Sequence, residues 1–182
     1  MKVKRIHILG ASGSGTSTLG HLIEKVYGFK HLDTDDYYWL PTNPPFTMQR
    51  EKSERIHLFT EDIYCYQKCV ISGSLCGWGD ELIPYFDLII RVVTPTELRI
   101  ERLRAREFGR FGQRIMPGGD MYEAHQKFLI WAAEYDKGDL SVRSKMLHDE
   151  WLSKIFCKQI EMDGTLSEAE VIERLNEVLL IN

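Results

Sequence analysis

An α/β fold built on a five-stranded parallel sheet is the class this sequence predicts, and three observations carry it. Short apolar runs of strand length alternate along the chain with amphipathic stretches of helical period. The first run ends in a glycine-rich turn that opens directly into a helix. With 182 residues and 43% apolar content, the chain can bury one core without disulfides or metals. Strands that alternate with helices bury both faces of a parallel sheet, which gives a three-layer α/β/α arrangement.

Residues 3–9 form an apolar-rich run that stops at Gly10, as a first buried strand requires. Leu19, Leu22, Ile23 and Val26 then recur at helical spacing, and Gly28 supplies a stop. Residues 29–33 read as a second strand, PTNPPF as a loop, and Thr47 as the start of a long helix with Ile56, Phe59, Ile63 and Tyr66 on one face. Residues 69–72 and 87–93 supply strands three and four. Thr94, Pro95 and Glu97 have the pattern of a capping box with proline at the first helical position, opening a helix that carries Arg99, Arg102, Arg104 and Arg106. Residues 108–119 hold four glycines and one proline, the composition of a mobile loop. Asp120 with Glu123 caps the next helix, which runs through Phe128, Trp131, Ala132 and Tyr135; a shorter helix covers about 142–154. Residues 156–162 form a fifth strand, and Ser167 with Glu170 caps a last helix bearing Val171, Leu175, Val178 and Leu179.

The net charge of −4 is spread along the chain, so neither a nucleic-acid-binding tail nor a basic membrane face is expected. No apolar stretch approaches the ~18 residues of a membrane helix, and the sequence reads as a soluble, cytoplasmic protein. Cys65, Cys69, Cys76 and Cys157 have neither zinc nor CxxC spacing, and the six histidines make no metal motif. A single domain over residues 1–182 is expected, as a monomer or weak homodimer.

Gly10-Ala11-Ser12-Gly13-Ser14-Gly15-Thr16-Ser17 matches the phosphate-loop spacing GxxxxGK[ST] at every fixed position but one, because Thr16 stands where lysine belongs. Backbone N–H groups of such a turn form an anion-binding nest reinforced by the helix dipole, and they need no lysine. Gly10, Ser12, Gly13, Ser14, Gly15 and Thr16 are therefore candidate phosphate-binding positions. Ser17 occupies the position whose hydroxyl ligates Mg²⁺, and Thr18 adds a hydroxyl near the α-phosphate. The missing lysine removes a charge-assisted contact worth roughly 1.5–3 kcal/mol. That loss weighs more on transfer than on binding, since charge builds on the phosphates in the transition state.

GASGSGTSTLG, followed by HLDTDDYYW, CVISGSL and DLIIRVVTPTELRIERLRARE, resembles the nucleoside monophosphate kinase and shikimate kinase group over nearly the whole chain. The resemblance implies a P-loop kinase-like fold with ATP and Mg²⁺ as cofactors. It implies an adenylate kinase-like transfer of the γ-phosphoryl group from a nucleoside triphosphate to a small-molecule acceptor. An acceptor-binding segment would lie at about 36–67 and a lid at about 106–120. Two positions depart from the group: Thr16, and Ser72 where adenylate kinases carry an aspartate before glycine.

Asp33, Asp35 and Asp36 follow the second strand, on the carboxyl-end side of the sheet where open α/β folds bind ligands. By resemblance to shikimate and uridine kinases, Asp35 is the base or acceptor ligand and Asp33 supports Mg²⁺ through water. A solvated acidic turn is the plainer account of all three. Gly164 falls in the stretch that resembles the family loop under the adenine ring.

Arg99, Arg102 and Arg106 share one helix face, and Arg110 and Arg114 follow in the glycine-rich segment. An arginine finger is worth roughly 10³–10⁵ in rate, so Arg102 as a nucleotide ligand and Arg106 and Arg110 as catalytic groups would replace the lysine. The same arginines can pair with Glu97, Glu101 and Glu107 on a wet surface. Arg50 and Arg55 sit in the acceptor stretch as candidate anion ligands, and Arg143 and His148 follow the lid. Two function classes stand: a small kinase, and a non-catalytic or weakly hydrolytic nucleotide-binding protein with a degenerate phosphate loop, which Thr16 and Ser72 favour.

Overall fold

A computed structural model of the chain describes residues 3–179. Its strands are β1 (Arg5–Gly10), β2 (Lys30–Asp33), β3 (Cys69–Ser72), β4 (Leu88–Val93) and β5 (Lys158–Asp163). They form one sheet in the order β2-β3-β1-β4-β5, and every neighbouring pair is parallel. The helices are α1 (Thr16–Tyr27), α2 (Thr34–Tyr38), α3 (Lys52–Cys65), α4 (Thr96–Phe111), α5 (Tyr122–Ala133), α6 (Lys145–Leu152) and α7 (Glu168–Leu179). The expected α/β class, a five-stranded parallel sheet flanked by helices, is the observed one.

The chain forms two compact units. The sheet unit takes in the chain up to Gly10, then Gly15–Val93 and the chain from Ile155 onward; the second unit takes in Ala11–Ser14 and Thr94–Lys154. In the sheet unit, Ile6 and Ile8 of β1, Val70 of β3 and Leu88 and Ile90 of β4 pack with Leu19 and Ile23 of α1 and Leu175 of α7. Each such side chain contributes roughly 1.5–3 kcal/mol by leaving water. The run of consecutive buried residues in β1, β3 and β4 is what a sheet covered on both faces demands. In the second unit a smaller cluster joins Leu103 of α4 to Leu129 and Ala132 of α5.

Strand order reverses at β1, which has β3 on one side and β4 on the other. The register aligns Ile8 with Ser72 and Asp33 with Ser72, so the last residues of β2 and β3 lie level beside the end of β1. A crevice at that switch point is where ligands of open parallel sheets bind.

Several local expectations are corrected. The helix expected from Thr47 begins at Lys52, because residues 47–50 are extended: Leu40 N–H donates to Met48 O at 2.9 Å and Arg50 N–H to Tyr38 O at 2.8 Å. The capping box at Thr94 does not form; the Thr94 hydroxyl donates instead to Ser14 O at 3.0 Å, and α4 starts after Pro95 with no side-chain cap. Residues 108–119 are not an irregular loop, since α4 runs to Phe111 and Gly112–Ile115 continues as a 3-10 turn anchored by buried Ile115. Asp120 does not cap α5, because it forms a 2.7 Å ion pair with Arg114. The helix expected over about 142–154 is the shorter α6, capped by the Ser144 hydroxyl. The box at Ser167 and Glu170 does form, with Ser167 N–H 2.8 Å from the Glu170 carboxylate and Glu170 N–H 3.4 Å from the serine oxygen. Among the described residues no helix is long and apolar enough to cross a membrane.

His7 is fully buried in β1, its ring stacked 5.1 Å from that of Phe86. Burial pushes its pKa down to about 3. The unfolded chain therefore binds more protons than the folded one at acid pH. Folding stability is expected to be undiminished above about pH 6.5 and to fall by up to ~1.4 kcal/mol per pH unit between there and pH 3 from this residue. Urea unfolding across that range should show a shallower slope for His7→Leu than for the natural chain.

Candidate functional site

The glycine turn between β1 and α1 is shaped by two left-handed residues, Gly13 at φ 81° and Gly15 at φ 104°, a conformation that side chains disfavour. Ser14 N–H closes the turn on Ala11 O at 3.0 Å. Gly15 is the cap residue of α1 and has no side-chain acceptor to offer, and the first turn carries no acidic residue. The leading amides and the positive end of the helix dipole are thus left for an anion. The Ser14 hydroxyl is buried without a hydrogen-bond partner among the described residues.

Ser17, in the first turn of α1, donates its hydroxyl proton to Asp33 Oδ2 at 2.8 Å. Asp33 is held from both sides: Oδ1 accepts the Asp35 N–H at 3.0 Å as the cap of α2, and Oδ2 also accepts from Ser72 Oγ at 3.3 Å. The Ser72 oxygen lies 2.8 Å from His31 Nε2. Ser72 Oγ also lies 3.5 Å from Ser17 Oγ, and giving its one proton to Asp33 would leave it to accept from a His31 Nε2–H. Burial, then the neighbouring His21, pushes the His31 pKa down.

The two expected metal-site residues, Ser17 and Asp33, are therefore brought together. Asp35 stands exposed in α2 on the rim of an open cleft of about 740 Å³, whose lining includes Asp36, Trp39, Phe46 and Arg50. Partial burial, then the charge of Asp33, raises the Asp36 pKa. Arg50 donates to Tyr37 O at 3.0 Å and pairs with Glu54 at 2.6 Å while lining the same cleft. Arg55 is buried, with its guanidinium 3.8 Å over the Tyr38 ring and bonds to Arg50 O and Gln49. Gly164 closes the turn after β5, donating to Val93 O at 2.8 Å. Thr18 is exposed beside Ser17, and Thr16 is half-buried at the start of α1.

In the second unit, Arg99 is 1% exposed and works as a strut. Its guanidinium donates to Thr94 O at 3.2 Å, Ala132 O at 3.0 Å, Ser12 O at 3.4 Å and the Asp136 carboxylate at 2.9 Å. A Cβ on Gly13 would lie 2.6 Å from Arg99 O, so α4 reaches the loop backbone only because that residue is glycine. The shared arginine face expected from spacing is split accordingly. Arg99 turns inward; Arg102 is half-buried in the same turn; Arg106 and Arg110 are exposed and pair with Glu107 at 2.9 and 3.6 Å; Arg114 pairs with Asp120. His148 is buried against the Tyr135 hydroxyl at 2.8 Å, a core role.

Reasoning on the sequence missed His31, the partner of Ser72, since no spacing rule links the two strands. Gly20, a helix-interior glycine, was the available signal, because an added Cβ there would lie 2.4 Å from the His31 ring.

The parallel sheet with its switch point at β1, and the glycine turn that leads into α1, define a P-loop kinase fold. Solved structures share it. Shikimate kinase from Bacteroides thetaiotaomicron matches with a TM-score of 0.60 at 16% identity, over 98% of this chain and 99% of that chain. Shikimate kinase from Acinetobacter baumannii in complex with shikimate matches with a TM-score of 0.55 at 15% identity, over 98% and 94%. A sugar kinase from Janibacter sp. HTCC2649 matches with a TM-score of 0.52 at 14% identity, over 98% and 94%. At these identities the likeness is one of fold. No protein-family model matches the chain. Over 179 residues it is 44% identical to the uncharacterized protein YqaC of Bacillus subtilis (strain 168), covering 98% of this chain and 99% of that protein, and the chain belongs to the YqaC family.

Arg99→Met leaves the buried Ala132 and Thr94 carbonyls without their donor. It is expected to cost about 3 kcal/mol of stability. The midpoint of urea denaturation reads this, and Arg104→Met, an exposed position on the same helix, should leave it within about 0.5 kcal/mol.

Proposed function

We propose that this protein is an ATP-dependent small-molecule kinase that transfers the γ-phosphoryl group to a nucleotide or another small acceptor. The observation that carries the reading is the 2.8 Å hydrogen bond between Ser17, just past the glycine turn, and Asp33 at the carboxyl end of β2. A hydroxyl beside a carboxylate is an all-oxygen donor set, the kind that suits Mg²⁺. Ser17 would hold the ion directly and Asp33 through water. Bound Mg²⁺ supplies neutralisation of charge on the phosphates.

The chain's own groups then have distinct tasks. Amides of residues 10–17 and the Thr18 hydroxyl cradle the phosphates, and the turn at Gly164 takes the base. Asp35, on the rim of the cleft, receives the acceptor's proton, within an acceptor-binding segment at about 36–67. Arg102 holds the nucleotide, and Arg106 and Arg110, in a lid at about 106–120, exchange Glu107 for phosphate and so stand in for the lysine absent at Thr16. In this reading residues 1–182 act as one kinase domain, monomeric or weakly dimeric, with a nucleoside triphosphate and a small acceptor as ligands.

A second reading, nucleotide binding without turnover, draws on Thr16 and on Ser72, a neutral hydroxyl already engaged by His31 and Asp33. Calorimetry with ATP, GTP and Mg²⁺, followed by ADP release across nucleoside monophosphates, nucleosides and small hydroxy acids, separates the two. The kinase reading expects acceptor-dependent ADP release, lost when Arg106→Ala and Arg110→Ala are combined. Binding without release on any acceptor leaves the second reading, and absence of binding ends both. Asp33→Asn is expected to weaken Mg²⁺-dependent binding or turnover roughly ten- to a hundred-fold, and Thr16→Lys to raise turnover.

A further inference from the structure

The fold brings together two histidines that lie ten residues apart in the chain. His21 projects from α1 and His31 from β2, and their Nδ1 atoms are 3.2 Å apart. Glu24, one helical turn after His21, brings Oε2 to 3.8 Å from His21 Nδ1. One ligand atom from each of the three residues lies within 4.8 Å of the other two. Two ligands on a tetrahedral zinc ion, each at its usual bond length, are about 3.3–3.4 Å apart. The paired imidazole nitrogens already stand at nearly that separation.

The two Nδ1 atoms share a hydrogen bond, which an ion would replace once the shared proton leaves for the outer ring nitrogen of His21 or for solvent. His31 engages Ser72 through Nε2, so Nδ1 is the ring nitrogen turned to His21. Metal-bound histidines are oriented in the same manner, by a bond from the remote ring nitrogen. Glu24 uses Oε1 to accept the His31 N–H at 3.1 Å and Lys30 Nζ at 3.3 Å, which leaves Oε2 facing His21. Gly20 makes the room: a Cβ there would lie 2.4 Å from His31 Cδ2 and Nε2, and glycine is otherwise costly inside a helix.

We propose that His21 Nδ1, His31 Nδ1 and the Glu24 carboxylate bind one divalent transition-metal ion of the zinc class, with solvent in the fourth position. Two imidazoles and one carboxylate select Zn²⁺, Co²⁺, Ni²⁺ or Cu²⁺ over Mg²⁺, which prefers oxygen ligands. The site is separate from the oxygen donors Ser17 and Asp33 and does not rest on the kinase reading. It is joined to them by the line His31, Ser72, Asp33, so an ion that fixes the His31 ring also fixes the two groups behind it.

The test uses the full-length, untagged chain, stripped of metal with a chelator and titrated with ZnCl₂ by calorimetry. One equivalent should bind, and Zn²⁺ should raise the melting temperature. His21→Ala removes a ligand whose side chain is 70% exposed, so the variant keeps its fold. It should melt like the natural chain without zinc, bind Zn²⁺ about a hundredfold or more weakly, and gain no melting temperature from it. Ser72→Ala, which removes the orienting bond to His31 and leaves all three ligands in place, should bind about ten- to a hundred-fold more weakly. Co²⁺ should give the visible bands of a tetrahedral nitrogen and oxygen site. The proposal is overturned if the natural chain takes up no zinc, if His21→Ala binds it equally well, or if Co²⁺ gives a thiolate charge-transfer band, which would place the ion on cysteine.

Discussion

The arrangement at the head of the sheet depends on one carboxylate. Asp33 ends β2, caps α2 through Oδ1, and gathers the hydroxyls of Ser17 and Ser72 on Oδ2. Through those three bonds a single side chain ties the start of α1, the end of β3 and the turn into α2 to one point. A half-buried carboxylate that accepts several hydrogen bonds is well satisfied without a cationic partner. The oxygen-rich character of the site follows from this.

Charge in the second unit is distributed by a different rule. Arg99 lies buried and spends its donors on backbone carbonyls, including Ser12 O of the glycine turn. Guanidinium suits that role because its fork meets several acceptors at once, where an ammonium would not. Arg106 and Arg110, further along α4, pair with Glu107. Glu107 is itself buried, so the two exposed guanidinium groups supply the positive charge that a carboxylate withdrawn from water requires.

Side-chain chemistry separates two regions that lie close together in the sheet unit. Hydroxyl and carboxylate oxygens meet at Ser17, Asp33 and Ser72, whereas imidazole nitrogens meet at His21 and His31. His31 belongs to both. Its Nε2 faces the oxygen cluster and its Nδ1 faces the second histidine. That division of one ring is a consequence of β2 running beside β3, which sets His31 of one strand near Ser72 of the next.

Local signals determined much of this protein. Apolar periodicity marked out strands, helices and the glycine turn, and Ser167 with Glu170 announced a real helix cap, because these features depend on neighbours within a few residues. The order GxxxxG followed by Ser17 marked the turn that holds left-handed Gly13 and Gly15 for the same reason. Where a local signal met a competing partner outside its own motif, it lost: Thr94 turned to Ser14, Asp120 to Arg114, and Arg99 into the core. Cross-strand and cross-helix meetings, such as Ser17 with Asp33 or His21 with His31, were decided only by the tertiary structure. A hydrogen bond between residues distant in sequence is formed by packing and strand register, and spacing along the chain carries no record of it.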